Sequence, residues 1–368
     1  MKFFKIVNKI VVSSFLFSSS IVSANSLNYA ESNINAFTLQ KNSLEFALKY
    51  SKINDTIDFL NVKDTELKGV PDSIGSIGDM DGYGIKIRYG VHERFSIFGE
   101  FDKQNIDYSD EKLKNNKIDV FARYQIAQKP INAIDAISVD IGYNQNSAEQ
   151  LNVTNDTLLN IMLQKIKPGT SAKISNGDLY KDDMKITLWN ANGDKIIPAL
   201  SIDDLKDSSW YIRLLFAKQF TNKSILDLYL GFKQTDIKSL IGIEPKNHSL
   251  LNDIIGQYKI PNLNRDENTF FTGLNYSLEF FNGLIGEINY EYSTTNRADD
   301  IDYITENHTV DASISKPITK SFIAFIGGRA MYRQFSTDIP YLYNKYTQTT
   351  FDHKYGYAKI GLIYKYSL

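Results

Sequence analysis

The chain contains no cysteine, which removes disulfides, thiolate metal sites, thiol nucleophiles and an N-terminal lipid on cysteine together. Histidine is scarce as well: His92, His248, His308 and His353 are all there are in 368 residues. No Gly-rich phosphate loop, His-Glu-x-x-His zinc pattern or Gly-x-Ser-x-Gly elbow is present. Asn247-His248-Ser249 and Asp352-His353 are the only fragments suited to a hydrolase, and neither has a diagnostic spacing. The reading is therefore non-enzymatic, with no catalytic residue, metal or cofactor assigned. No basic block or aromatic-basic patch points to nucleic acid, since 41 Lys and Arg stand against 43 Asp and Glu. Beyond the first two dozen residues no apolar run approaches the roughly 18 needed for a membrane helix.

What is present begins with an export signal over residues 1–24. Lys2, Lys5 and Lys9 form a basic start, Ile10 to Ile21 a short and mostly apolar run, and Val22-Ser23-Ala24 the small residues that precede cleavage. Losing those three lysines lowers the formal charge of −2 by three, leaving a mildly acidic mature chain. Residues 25–42 are polar and read as a flexible periplasmic segment, with tail or plug left open.

From residue 43 to 368 the chain is rich in aromatics, with 23 Tyr and 22 Phe, and falls into segments with apolar character at every second position. Twelve such segments emerge, at about 43–50, 82–91, 95–105, 116–127, 135–146, 209–219, 224–235, 269–280, 283–294, 306–316, 320–335 and 352–367. In the second, Tyr83, Ile85, Ile87 and Tyr89 alternate with Gly84, Lys86, Arg88 and Gly90. In the fourth, Ile118, Val120, Ala122 and Tyr124 alternate with Asp119, Phe121, Arg123 and Gln125.

Alternation alone also suits a soluble sandwich; the connections decide. Short joins at 92–94, 129–132, 221–223, 281–283 and 317–319 alternate with long ones at 51–81, 106–115, 147–208, 236–268, 295–305 and 336–351. Short turns on one side and long loops on the other are the asymmetry of a membrane-spanning antiparallel β-barrel, with periplasmic turns and extracellular loops. An even count of twelve returns both termini to the short-turn side. Ile85, Ile87, Leu228, Leu230, Ile360 and Leu362 are expected to meet hydrocarbon, and Tyr89, Tyr276, Tyr364 and Tyr366 the interfaces.

The last strand, Tyr355 to Leu368, places Ala358, Ile360, Leu362, Tyr364, Tyr366 and Leu368 on one face. It resembles the C-terminal strand of Gram-negative bacterial outer-membrane β-barrel proteins, which the barrel-assembly machinery recognises by apolar alternation and a terminal aromatic. Here the terminal residue is Leu. The resemblance extends to the whole mature chain as architecture and implies outer-membrane lipid and that machinery as partners, but no subfamily.

Opposite parity assigns Lys86, Arg88, Glu100, Asp119, Arg123, Asp140, Arg213, Asp227, Glu287, Arg329 and Lys359 to the lumen. Arg333 and His353 are candidates at the outer mouth, where either an anion filter or neutralisation by Asp311 or Asp338 is open. Charges of both signs either pair across a narrow barrel or line a wet path. The favoured function is a porin-like channel for small hydrophilic solutes or ions; the alternative is a surface anchor or adhesin acting through long loops. The 147–208 insertion carries two expectations: a short helix with Leu158, Leu159, Ile161, Met162 and Ile166 on one face, and a hairpin joining 184–189 to 195–200 around Asn190 to Asp194.

Overall fold

The computed structural model describes residues 31–54, 77–108, 111–154, 172–181, 184–246, 263–281, 283–297, 301–333, 337–344, 351–352 and 354–367, with isolated positions near 156–160 and 248–249. The signal segment 1–24, most of the expected helix at 158–166 and His353 lie outside the described residues.

Twelve long strands form the barrel: β1 (Ser43–Ile53), β2 (Ile77–His92), β3 (Phe95–Tyr108), β4 (Glu111–Ile131), β5 (Ile134–Ala148), β6 (Ala199–Thr221), β7 (Ser224–Glu244), β8 (Arg265–Glu279), β9 (Ile285–Asn296), β10 (Glu306–Pro317), β11 (Phe322–Met331) and β12 (Tyr355–Ser367). Each pairs antiparallel with the next, and β12 pairs with β1 from Ser43 opposite Ser367 to Lys52 opposite Ala358. The β6–β7 pairing completes the ring. Closure leaves no strand edge, so the wall's ladder hydrogen bonds are made within the wall.

The expected faces hold. Ile87, Leu228, Leu230, Ile360 and Leu362 are exposed on the outer surface and Ile85 partly so, while Lys86, Arg88, Arg123 and Asp140 are buried inside. Two inward glycines explain how aromatic rings fit that interior. Gly142 stands opposite Tyr211 and Gly273 opposite Tyr229. A Cβ at either glycine would collide with the facing ring, so each Gly supplies the space its cross-strand partner fills.

Connections sort as expected, with one correction. The joins between β2 and β3, β4 and β5, and β6 and β7 are two residues each. The supposed long loop at 106–115 is instead a tight hairpin: β3 and β4 keep pairing up to Tyr108 opposite Glu111. Likewise β6 and β7 start and end well beyond the expected limits, at Ala199 and Glu244, and reach 23 and 21 residues. Only about 9–11 tilted residues cross a bilayer.

The strands outrun the bilayer because their alternation changes sign. On β7 the outward residues are Leu228, Leu230 and Phe232, and then Gln234, Asp236 and Lys238; the inward ones pass from Asp227 and Lys233 to Ile237 and Ile241. On β4 the same switch separates outward Ile118 and Val120 from outward Lys112 and Lys114, with Leu113 buried inside. Beyond the hydrocarbon the outer face meets water, and the inner face closes on a core. That core gathers Ile53, Met80, Ile106, Leu113, Ile237 and Ile241 with Ile339, Tyr341 and Tyr343 from the β11–β12 connection.

Within the insertion, Leu188–Trp189 pairs with Lys195–Ile196. Asn190 ties the turn with its side-chain oxygen on the Asn192 and Asp194 N–H groups, and Gly193 adopts φ +83°. This is the expected hairpin, shortened: Met184–Ile186 pairs instead with Asp178–Lys181, and Ala199 and Leu200 belong to β6.

Candidate functional site: the barrel lumen

The wall's ion pairs run around the barrel, not through its middle. Asp140 on β5 receives Arg123 of β4 at 2.8 Å and Arg213 of β6 at 2.6 Å. Glu45 on β1 takes Arg88 of β2 at 3.3 Å and Lys365 of β12 at 2.6 Å. Arg329 on β11 meets Asp311 of β10 at 3.0 Å. Lys49 on β1 reaches past β2 to Glu100, and to Asp102 at 2.9 Å. Asp119 accepts from the Tyr211 hydroxyl at 2.9 Å. Among the described residues every wall-to-wall pair of these joins strands one or two positions apart.

Two segments of chain occupy what the wall leaves. Residues 31–40, part of the segment read as flexible with tail or plug left open, climb the lumen from the short-turn end as a plug. Leu39 donates to Ser96 Oγ at 3.0 Å, Ala36 N to Asp227 Oδ1 at 2.7 Å and Ser32 N to Glu287 Oε2 at 3.1 Å. Carbonyls of 33 and 35 accept from Arg123, that of 34 from Asn275 at 2.9 Å, and that of 36 from Ser138. The Glu31 carboxylate sits between Lys86 and Lys359, each at 2.6 Å. Ile34 and Ala36 pack with Ala136, Leu215, Ala217 and Ile225 of the wall. The segment is ordered because the interior supplies partners for its backbone, which a polar composition cannot reveal.

The second segment is 337–343, which dips in from the long-loop end through a 3₁₀ turn at Pro340–Leu342. Lys233 donates to the Thr337 carbonyl at 3.1 Å, Asn146 to the Asp338 carbonyl at 2.9 Å, and Tyr341 OH to Asn115 at 2.9 Å. Asp338 pairs with Arg329 at 2.9 Å. Burial alone would raise this carboxyl, but Arg329, and after it Lys117 and Lys233, outweigh burial and hold it down at about 2. Between the two segments lies a polar cavity of about 200 Å³, bounded by Glu31 to Ile34 below and Asp338 and Ile339 above. Lys117, Asp119, Glu291 and Tyr357 are among the side chains that line it.

Of the residues singled out from sequence, Lys86, Glu100, Asp119, Arg213, Arg329 and Lys359 line this cavity. Arg88, Arg123, Asp227 and Glu287 lie lower, against the N-terminal segment; Asp140 is held beneath Arg123 and Arg213. Arg333 is not grouped with Arg329: it pairs with Asp352 at 3.1 Å and donates its backbone N–H to Asn307. Of the two alternatives left open for the mouth, the described residues form the neutralised one, with Asp311 and Asp338 on Arg329 and Asp352 on Arg333. His308 faces outward among Tyr290, Tyr292 and Tyr332, with Tyr290 OH at 2.8 Å from its Nδ1. Sequence reasoning missed Glu31 and, apart from Asp338, the 337–343 segment. For the latter, the run Ile339-Pro340-Tyr341-Leu342-Tyr343 was a usable signal, being apolar inside a supposed surface loop.

A closed, even-stranded antiparallel ring with an apolar outer belt and a charged interior defines a membrane-spanning β-barrel of the outer-membrane type. Solved structures of similar fold include the translocator domain of the autotransporter NalP from Neisseria meningitidis, at TM-score 0.49 and 8% identity over 89% of this chain and 90% of that one. An outer membrane channel from Pseudomonas putida F1 gives 0.42 and 8% over 90% and 98%, and the KdgM porin 0.35 and 10% over 88% and 98%. No protein-family model and no curated protein matches the chain.

Proposed function

We propose that this chain is an outer-membrane channel for small hydrophilic solutes or ions, shut in the described conformation by two of its own segments. One observation carries the reading: the wall's own ion pairs join strands one or two positions apart around the circumference, and what blocks the lumen is residues 31–40 and 337–343. A barrel filled for rigidity alone would pair its charges across the middle. The export signal at 1–24 and the C-terminal strand fit delivery to the outer membrane and insertion by the barrel-assembly machinery.

The test is planar-bilayer recording on folded protein. The intact chain should be mostly silent. A chain lacking residues 25–39, with 337–343 replaced by a Gly-Ser linker, should give discrete conductance steps; silence from that variant, with the barrel folded, would refute the channel.

A second reading, a surface anchor, is favoured by a separate observation. Three short strands, Lys173–Ser175, Asp178–Lys181 and Met184–Ile186, form a small sheet in the insertion, and Met184, Trp189 and Ile197 are exposed there. Binding of fluorescent cells or matrix proteins to the intact chain, lost when 172–197 is excised, would support it.

A further inference from the structure

We propose that the lower lumen is a binding site for short peptides, read largely through their backbone carbonyls, and that residues 31–36 occupy it as a tethered pseudo-ligand. The observation is the distribution of contacts along this segment. All six successive carbonyls, from Glu31 to Ala36, accept a hydrogen bond from a wall side chain. The donors are Lys86 and Arg88 on β2, Arg123 on β4, Ser138 on β5 and Asn275 on β8. Two of the segment's N–H groups go to carboxylates on the acidic side of the ring, Ser32 to Glu287 on β9 and Ala36 to Asp227 on β7, and that of Ile34 to the segment's own Ser32 Oγ at 2.9 Å.

This division matches the one feature all peptides share, carbonyls to be donated to and N–H groups to be accepted from. Guanidinium and ammonium groups face four of the six carbonyls and carboxylates face two N–H groups, and these charge-assisted bonds are the stronger kind. Charged side-chain recognition is concentrated at one position, where Glu31 lies between Lys86 and Lys359; Asn33 adds a long 3.4 Å contact to Glu100, and Ile34 and Ala36 pack against the apolar wall. A free carboxylate or an oligosaccharide would meet the Glu31 position but has no amide N–H for both Asp227 and Glu287. The ligand class is therefore a short peptide with an acidic residue at its leading end. Passage of such peptides rests on the channel reading above; their binding does not.

Binding is measured by titration calorimetry on the detergent-folded barrel lacking residues 25–39. The probe is acetyl-Glu-Ser-Asn-Ile-Asn-Ala-amide, the sequence of 31–36. The same peptide methylated on its Ser and Ala nitrogens should bind at least about tenfold more weakly, because two charge-assisted bonds are lost. A peptide that keeps Glu, Ile and Ala at the first, fourth and sixth positions but changes the two Asn should bind within about threefold of the first, since its backbone bonds and wall packing are the same. Equal affinity for the methylated peptide, or for free glutamate or a neutral trisaccharide, overturns the proposal. If the truncated barrel does not fold, the full-length Glu31→Gln/Ala36→Pro variant, which loses both the carboxylate and the donor to Asp227, takes its place with the same expected order. Conductance and peptide binding recorded on the barrel that lacks residues 25–39 and also has 337–343 replaced by a Gly-Ser linker separate the two ideas. Peptide binding without ion flow refutes the channel alone, and ion flow without peptide preference refutes this site alone.

Discussion

Removing the Asp140 carboxylate probes how dry the interior is. Its side chain is fully buried and receives four hydrogen bonds: from Arg123 at 2.8 and 2.9 Å and from Arg213 at 3.0 and 2.6 Å. Asp140→Ala leaves two guanidiniums without a carboxylate between them. Deleting one partner of a buried pair costs about 3–5 kcal/mol. Arg123 keeps carbonyls of residues 33 and 35, and Arg213 keeps the Phe121 and Tyr229 ring faces at 5.4 and 6.0 Å. With the cavity also touching Arg213, the expected loss is near the lower end, about 3 kcal/mol, or roughly a hundredfold in the unfolding equilibrium. Asp140→Asn, which retains an acceptor oxygen, should cost less. Urea unfolding in lipid vesicles measures it, read by Trp210, whose ring packs 5.0 Å from Tyr143 on the same β5–β6 seam. Of two tryptophans in the chain, Trp189 is replaced by Phe so that Trp210 reports alone. A loss below about 1 kcal/mol, the range of exposed pairs, would mean that water reaches these guanidiniums and that the lower lumen is wet with residues 31–36 in place.

The faces are tested on β2, where Ile87→Arg should destabilise the barrel by roughly 2–4 kcal/mol near the bilayer midplane; equal folding of Ile87→Arg and Lys86→Ala into vesicles would mean the strand is misassigned by one residue. For topology, an epitope tag at Asn192 should be reached by antibody on intact cells and one beside Asn222 should not; the reverse labelling would invert the barrel. Asp338 supplies a pH dependence: its folded value of about 2 lies below the ordinary carboxylate value, so its contribution is complete above about pH 4 and is lost as pH falls toward 2. The melting temperature of Asp338→Asn should therefore vary less than the parent's between pH 4 and 2, and parallel curves would show that the pair with Arg329 adds nothing. Gly142→Val should force the Tyr211 ring aside and break its bond to Asp119, lowering the urea midpoint, whereas Gly193→Ala in the insertion hairpin should leave the barrel's midpoint unchanged.

The strand count and the inside–outside assignment were legible in the sequence because they are local: a period of two on β2, β4 and β5 needs no knowledge of distant residues. The hairpin at 106–115 was misread for a related reason. Past the hydrocarbon the apolar set moves to the inner face, as Lys112 and Lys114 point out and Ile106 and Leu113 point in, and a pattern that changes parity looks like a pattern that ends. The N-terminal segment was illegible for the opposite reason. Arg88 and Asp227 lie tens to hundreds of residues from the segment they hold, and they bind its main chain, which every sequence carries alike. Only Glu31, the single acid in an otherwise uncharged stretch from 10 to 40, left a mark.

The two closures differ in what moving them would cost. Residues 31–36 are held mainly by hydrogen bonds to wall side chains, and when they leave, water or an incoming solute takes over those bonds, so each is worth only about 1 kcal/mol net, somewhat more where the partner is charged. The 337–343 segment instead buries Ile339, Tyr341, Leu342 and Tyr343 in the core at the long-loop end, and exposing them forfeits roughly 1.5–3 kcal/mol for each large side chain. Polar exchange is nearly balanced; apolar exposure is not. The lower closure is thus the exchangeable one and the upper the persistent one. It follows that deleting residues 25–39 alone should open the lower lumen to peptides while ion flow stays low, and that replacing 337–343 should produce the larger rise in conductance.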